Sequence, residues 1–152
     1  KFSQVYASKY LFDQNGVAEW PALAINYTTK TQYLFRINKG VHDLSDNAAV
    51  NKYVPKNERP VPFENIVFIG DGATDIPCFR LVKDQGGLSV AVYTPNKKGG
   101  KSKAADYLRD GRVHCVVPAN YKNGSGLDRV IKAQIDAVAA RHSISSLLGA
   151  PL

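Results

Sequence analysis

The sequence has little that would hold it in a membrane or carry it out of the cell. No apolar run approaches the roughly 18 residues of a membrane-spanning helix, and no signal-peptide pattern opens the chain. Cysteine is scarce. Cys78 and Cys115 lie too far apart for a metal-ligand spacing, and neither has a CxxC partner. Both fall in segments that read as buried, so they are expected to be inert thiols in a reducing cytoplasm. Histidine is equally sparse: His42, His114 and His142 form no cluster, which argues against a zinc site. Internal repeats are absent. Charge of one sign is in excess, with 20 Lys and Arg against 13 Asp and Glu, a net charge of +7. That excess is spread along the chain. Its densest run, Lys97 to Lys103, has no interleaved aromatic residue, so a nucleic-acid partner is not expected.

What is present is an ordinary globular composition, 44% hydrophobic and 22% charged over 152 residues, enough for one domain. Its most informative stretch is Ile66-Val67-Phe68-Ile69-Gly70-Asp71-Gly72-Ala73-Thr74-Asp75. Four apolar residues in a row, mostly β-branched, read as a strand covered on both faces, as in a parallel sheet. Gly70 and Gly72 let the backbone turn sharply and approach a ligand. Ligands of open α/β sheets bind beyond the carboxyl ends of strands, which is where Asp71 and Asp75 would sit. A carboxylate pair there suits Mg2+, a hard cation that keeps several waters and bridges to phosphate. The plainer reading has Thr74 cap the next helix and Asp75 complement its dipole. It leaves Asp71 idle, and the metal reading is preferred.

The rest of the chain alternates strands with helices and predicts an α/β fold with a mostly parallel sheet flanked by helices. Residues 3–7 read as a short strand. Asn15-Gly16 marks a hairpin between Tyr10-Leu11-Phe12 and Val17-Ala18-Glu19-Trp20. Thr29 with Gln32 forms a capping-box pattern for a helix over 30–38, ended by Gly40. Residues 41–63 read as a polar, proline-broken connection with at most a short helix. A helix over 75–84 follows, with Pro77 tolerated in its first turn, then strands over 88–93 and 113–117. Between these strands, Lys97 to Lys103 reads as a solvated glycine-broken loop rather than a phosphate contact, and its spacing is not that of a P-loop. A helix then runs to Gly111. Ser125 with Asp128 starts an amphipathic helix carrying Leu127, Val130, Ile131, Ile135 and Val138. Residues 1–141 are expected to form the domain and 142–152 a loosely packed tail.

Gly70-Asp71-Gly72-Ala73-Thr74-Asp75 resembles metal-binding motif IV of the haloacid-dehalogenase (HAD) superfamily, in its phosphoserine-phosphatase-like branch. The similarity spans most of residues 2–120. Val5 to Leu11 and the hairpin at Asn15-Gly16 look like the third core strand and the hairpin after it. Lys30 stands where the motif III lysine opens a helix, and Leu88 to Val92 looks like the strand after motif IV. The resemblance implies a Rossmann-like core and a Mg2+-dependent phosphomonoester hydrolase working through an aspartyl-phosphate, a route that divides one hard step into two. Asp71 and Asp75 would hold Mg2+, and Lys30 would be the catalytic cation. Lys39 is the alternative, but its place beside Gly40 at a helix end already explains a cation there. The substrate would be a small phosphorylated metabolite.

The family's Asp-x-Asp nucleophile motif is missing, since no two aspartates here are separated by one residue. The motif II Ser or Thr is missing too; Ser8 is read as structural. Because the sequence starts at Lys1, it reads as the C-terminal portion of a longer core, with the nucleophile upstream and no activity of its own. The cap and the first two core strands would be lacking. Residues 20–30 leave no room for the other common cap type. In the family's strand order, 3-2-1-4-5, the missing strands would leave a gap beside the 66–69 strand and bare edges open to self-association. The competing reading is a non-catalytic module that keeps the loop to bind metal or a partner.

Overall fold

Alternation along one central strand explains the layering of this protein. The computed structural model describes residues 2–149. In it β3 (Val67–Gly70), β4 (Leu88–Tyr93) and β5 (Cys115–Pro118) form a parallel sheet in the order β3-β4-β5, preceded in the chain by a separate antiparallel hairpin of β1 (Lys9–Phe12) and β2 (Ala18–Leu23). Successive side chains of a strand face opposite sides. Ala91 of β4 therefore packs with Phe79, Ala104 and Tyr107, which belong to α3 (Ile76–Asp84) and α4 (Gly100–Arg109). Val90 and Val92 pack on the other face with Leu127 of α5 (Gly126–Leu148). Ser89 shares the Ala91 face, and its hydroxyl donates to the Phe79 carbonyl at 2.7 Å. The architecture is mixed α/β, a three-stranded parallel sheet between helices.

α1 (Lys30–Lys39) extends the α3 side of this core through Leu34, which joins Phe63, Ile66, Cys78 and Val82. Its C-terminal half organises the connection that follows. The buried Arg36 guanidinium donates to the carbonyls of Asp43, Leu44 and Asp46 and to Asn47 Oδ1. Asn38 donates to the Val61 carbonyl, and Lys39 to those of Val50 and Lys52. These donors satisfy carbonyls that a proline-broken segment cannot pair by itself. The segment contains α2 (Asn47–Asn51), capped by Asp46, and two single 3-10 turns.

Several expectations change. Residues 3–7 form no strand: they have no ladder partner, and Val5 is largely exposed. The Thr29–Gln32 capping box does not form. Thr29 Oγ1 accepts instead from the Asn26 amide at 2.9 Å, closing the turn ahead of α1. The basic loop is shorter than read, since α4 begins at Gly100 and includes Lys101 and Lys103. Residues 142–148 are not a loose tail but the end of α5. Ser143 bonds back to the Ala139 carbonyl, Ser145 is buried, and the helix stops at Gly149 with a positive φ of 64°. Residues 150–152 of that expected tail lie outside the described residues. The hairpin and the strands after Ile66 stand as read, give or take three residues.

The edge of β3 away from β4 carries no strand among the described residues. No helix among them is long and apolar enough to cross a membrane.

Candidate functional site

Asp71 follows the last residue of β3, and a single 3-10 turn over Ala73–Asp75 joins it to α3. Asp75 is the centre of this turn. The residue is 5% exposed, and its Oδ2 accepts the backbone N–H groups of Asp71 at 3.0 Å and Gly72 at 3.2 Å. Oδ1 accepts from Lys30 Nζ at 2.6 Å. Three of the roughly four acceptor positions of the carboxylate are thus filled. Gly70 makes this approach feasible: a Cβ there would stand 2.6 Å from the Asp75 carboxyl carbon. A buried carboxylate demands such compensation, because unpaired it would cost several kcal/mol.

Lys30 reaches the loop from the first turn of α1, across 45 residues of sequence, with Thr74 Oγ1 also within 3.4 Å of its ammonium. Thr74 therefore turns its hydroxyl to Lys30 and makes no side-chain cap, and the residue at the α3 cap position is Asp75. Lys39 is occupied with carbonyls of the α2 connection, which removes it as the alternative cation. Ser8 accepts from the Ile25 amide and ties down the base of the hairpin, a structural bond. Cys78, one turn into α3, is 1% exposed; burial, with the Asp75 charge adding to it, pushes its thiol up to about 11, so it is no nucleophile at neutral pH.

Asp71 differs from Asp75. Its side chain is exposed, and it makes no hydrogen bond or ion pair among the described residues. It lies at one wall of a cleft of about 450 Å³ beyond the carboxyl ends of β3 and β4. The turn after β4 and the first residues of α4 also line it, with Lys97, Lys98 and Lys103. Sequence reading assigned those lysines to solvent. Their place directly after a buried strand, next in the sheet to the one ending at Asp71, was the available signal. The three histidines stand apart, paired with Tyr6, Ser89 and Asn65. No group of three or more His, Cys, Asp or Glu side chains that could hold a metal occurs among the described residues. A second cavity, about 350 Å³ and bordered by Lys56, Pro62, Glu64, Arg141 and His142, shares no residue with the strand-end site.

Comparison with known proteins adds one relative. The chain is 31% identical over 127 residues to an uncharacterized protein of Borreliella burgdorferi, a match covering 82% of this chain and 41% of that protein. The chain thus spans about two fifths of the length of the relative it matches. No family profile matches the chain, and no solved structure does.

Proposed function

We propose that these residues form the cation-holding half of a Mg2+-dependent phosphomonoester hydrolase of the HAD type, with the nucleophilic aspartate supplied from outside the 152 residues. The observation that carries this reading is the Lys30–Asp75 pair, which joins two segments 45 residues apart at the end of a parallel strand, beside an uncommitted Asp71. Such a strand end is where open α/β sheets bind ligands.

The donor set fits Mg2+ in part. Mg2+ is typically held by one or two carboxylates, with water and phosphate oxygens completing the shell. Asp71 is free to ligate directly. Asp75, engaged by Lys30 and two amides, belongs outside the first shell, where it fixes the loop that carries Asp71. When bound, the ion supplies positive charge to the transferring phosphoryl oxygens. Lys30 is held in place by Asp75 and adds a second positive charge at the loop. The open edge of β3 is where further strands of such a core would pair, and in their absence it favours association with another chain.

The competing reading keeps the loop as a non-catalytic metal- or partner-binding module. Reading the gene upstream for an Asp-x-Asp after an apolar strand separates the two. In the polypeptide that includes the nucleophile, Asp71→Asn should raise the Mg2+ requirement sharply and depress turnover of a phosphomonoester. Unchanged Mg2+ dependence in that variant refutes the assignment.

A further inference from the structure

We propose that the turn after β4 is a second anion subsite, so that the ligand of this cleft is a small metabolite carrying a phosphate and a second anionic group. This rests on the phosphomonoesterase reading above and names the class of substrate.

The lysines of this protein divide into those with a partner and those without. Lys30 and Lys132 pair with Asp75 and Asp128, Lys56 pairs with Glu64, and Lys39 and Lys83 donate to backbone carbonyls. Lys97, Lys98 and Lys103 have no ion pair or hydrogen bond from their ammonium groups among the described residues, although all three border one cleft. Among the described residues, Asp71 is the only acidic one on that cleft. Three cations facing a single carboxylate leave an excess of positive charge in a concave site, which concentrates small anions. An exposed lysine run elsewhere on the surface would have no such geometry.

The position of the turn fits one bound molecule. β3 and β4 run parallel with Gly70 opposite Ala91, and β4 continues two residues further to Tyr93, so the turn after it rises beyond the level of Asp71 on the same end of the sheet. Neighbouring strands lie about 4.8 Å apart. A phosphate at Asp71 would then share one cleft of about 450 Å³ with the lysines of the turn. Gly99 and Gly100, at the start of α4, carry no side chain to fill the space between the lysines and the strand ends. Tyr93 and Val92 floor the cleft and suit a short carbon skeleton. Lys30 is not part of this wall. The division is therefore between a reaction end, with Lys30, Asp71 and Asp75, and a selection end, with Lys97, Lys98 and Lys103.

Calorimetric titration of the 152-residue chain in the presence of Mg2+ tests this with three probes: ethyl phosphate, phosphoglycolate and propane-1,3-diyl bisphosphate. At least one doubly anionic probe should bind about tenfold tighter than ethyl phosphate. Which one does so identifies the second group as carboxylate or phosphate. Lys97→Gln/Lys98→Gln should abolish that preference, whereas Lys52→Gln/Lys122→Gln, at two exposed lysines off the cleft, should keep it. Equal affinity for all three probes overturns the second subsite and leaves the phosphomonoesterase reading standing. A preference that survives in Lys97→Gln/Lys98→Gln overturns the assignment to this turn. Binding of none of the probes overturns both.

Discussion

Replacing Gly70 by alanine tests the tightest approach in the candidate site. The added Cβ would lie 2.6 Å from both the carboxyl carbon and Oδ2 of Asp75. Carbon atoms in comfortable contact stand about 3.5–4.0 Å apart, so the carboxylate must retreat by about 1 Å. Its bonds to the amides of Asp71 and Gly72, now 3.0 and 3.2 Å, would then stretch beyond hydrogen-bonding range. Overpacking a filled site costs about 1–3 kcal/mol, and each lost bond to a charged acceptor about 1.5–3. Because the loop shares the displacement, Gly70→Ala should destabilise by about 2–4 kcal/mol, a large share of the 5–15 kcal/mol that holds a typical domain. Gly72→Ala is the control. Its φ of −138° suits any residue, and a Cβ there meets nothing closer than 3.8 Å. That change should be neutral or stabilise by about 0.4–1 kcal/mol through the unfolded chain. Urea unfolding followed by far-ultraviolet circular dichroism measures both. Trp20, 69% exposed on the hairpin, would report the core poorly by fluorescence. A Gly70→Ala protein within about 0.5 kcal/mol of the parent would refute the account of how Asp75 is seated.

Cys78 should resist Ellman's reagent at pH 8 until urea unfolds the chain, because burial raises its thiol to about 11 and hides it; labelling at the rate of a free thiol would contradict this. His114 accepts the Ser89 amide at Nδ1, and desolvation, helped by the Lys83 charge, pulls its pKa below the usual 6.5. The unfolded chain therefore takes up the proton first on acidification. The stability that His114 contributes is complete above about pH 6.5 and is lost as the pH falls from there toward its folded pKa. An NMR titration of the His114 ring with a midpoint at or above 6.5 would count against it. The Mg2+ dependence of Asp71→Asn and the probe preference of Lys97→Gln/Lys98→Gln complete the set.

The strand–turn–helix around Asp71 was legible because its signals are local: an apolar run, a glycine where the chain turns, and a proline in the first turn of the helix. The same holds for the hairpin at Asn15-Gly16 and for the Ser125 cap, whose side chain accepts from the Asp128 amide as expected. The family resemblance brought Lys30 and Asp75 to one site, but as a catalytic cation and a metal carboxylate; their direct pairing was not foreseen, since nothing in local pattern links residues 45 apart. The segment at 3–7 failed for the opposite reason. Its composition suits a strand, but a strand exists only with a ladder partner, and no neighbour is there to provide one. The helical end of α5 was hidden by Ser143, Ser145 and Ser146. Serine lowers helix propensity only slightly, and the bond from Ser143 back to Ala139 keeps that hydroxyl satisfied within the helix. The role of the lysine turn depended on which strand lies beside which, information carried by topology rather than by any short motif.

The separation between hairpin and sheet has a consequence for how the chain opens. No residue of β1 or β2 is buried, so those strands are held mainly by their own ladder and by a few bonds at the base, such as Ser8 to Ile25. An isolated two-stranded ribbon is marginal in water. β4, in contrast, is paired on both edges and covered on both faces. Amides of the hairpin should therefore exchange with solvent through frequent local fraying, whereas those at the centre of β4 exchange only when the whole sheet comes apart. The parallel sheet grows by consecutive crossovers, each strand docking beside the one before it, so its assembly does not wait for the hairpin. The two parts are then expected to open as separate units, and α1, packed through Leu34 into the sheet's core, keeps Lys30 at the site when the hairpin frays.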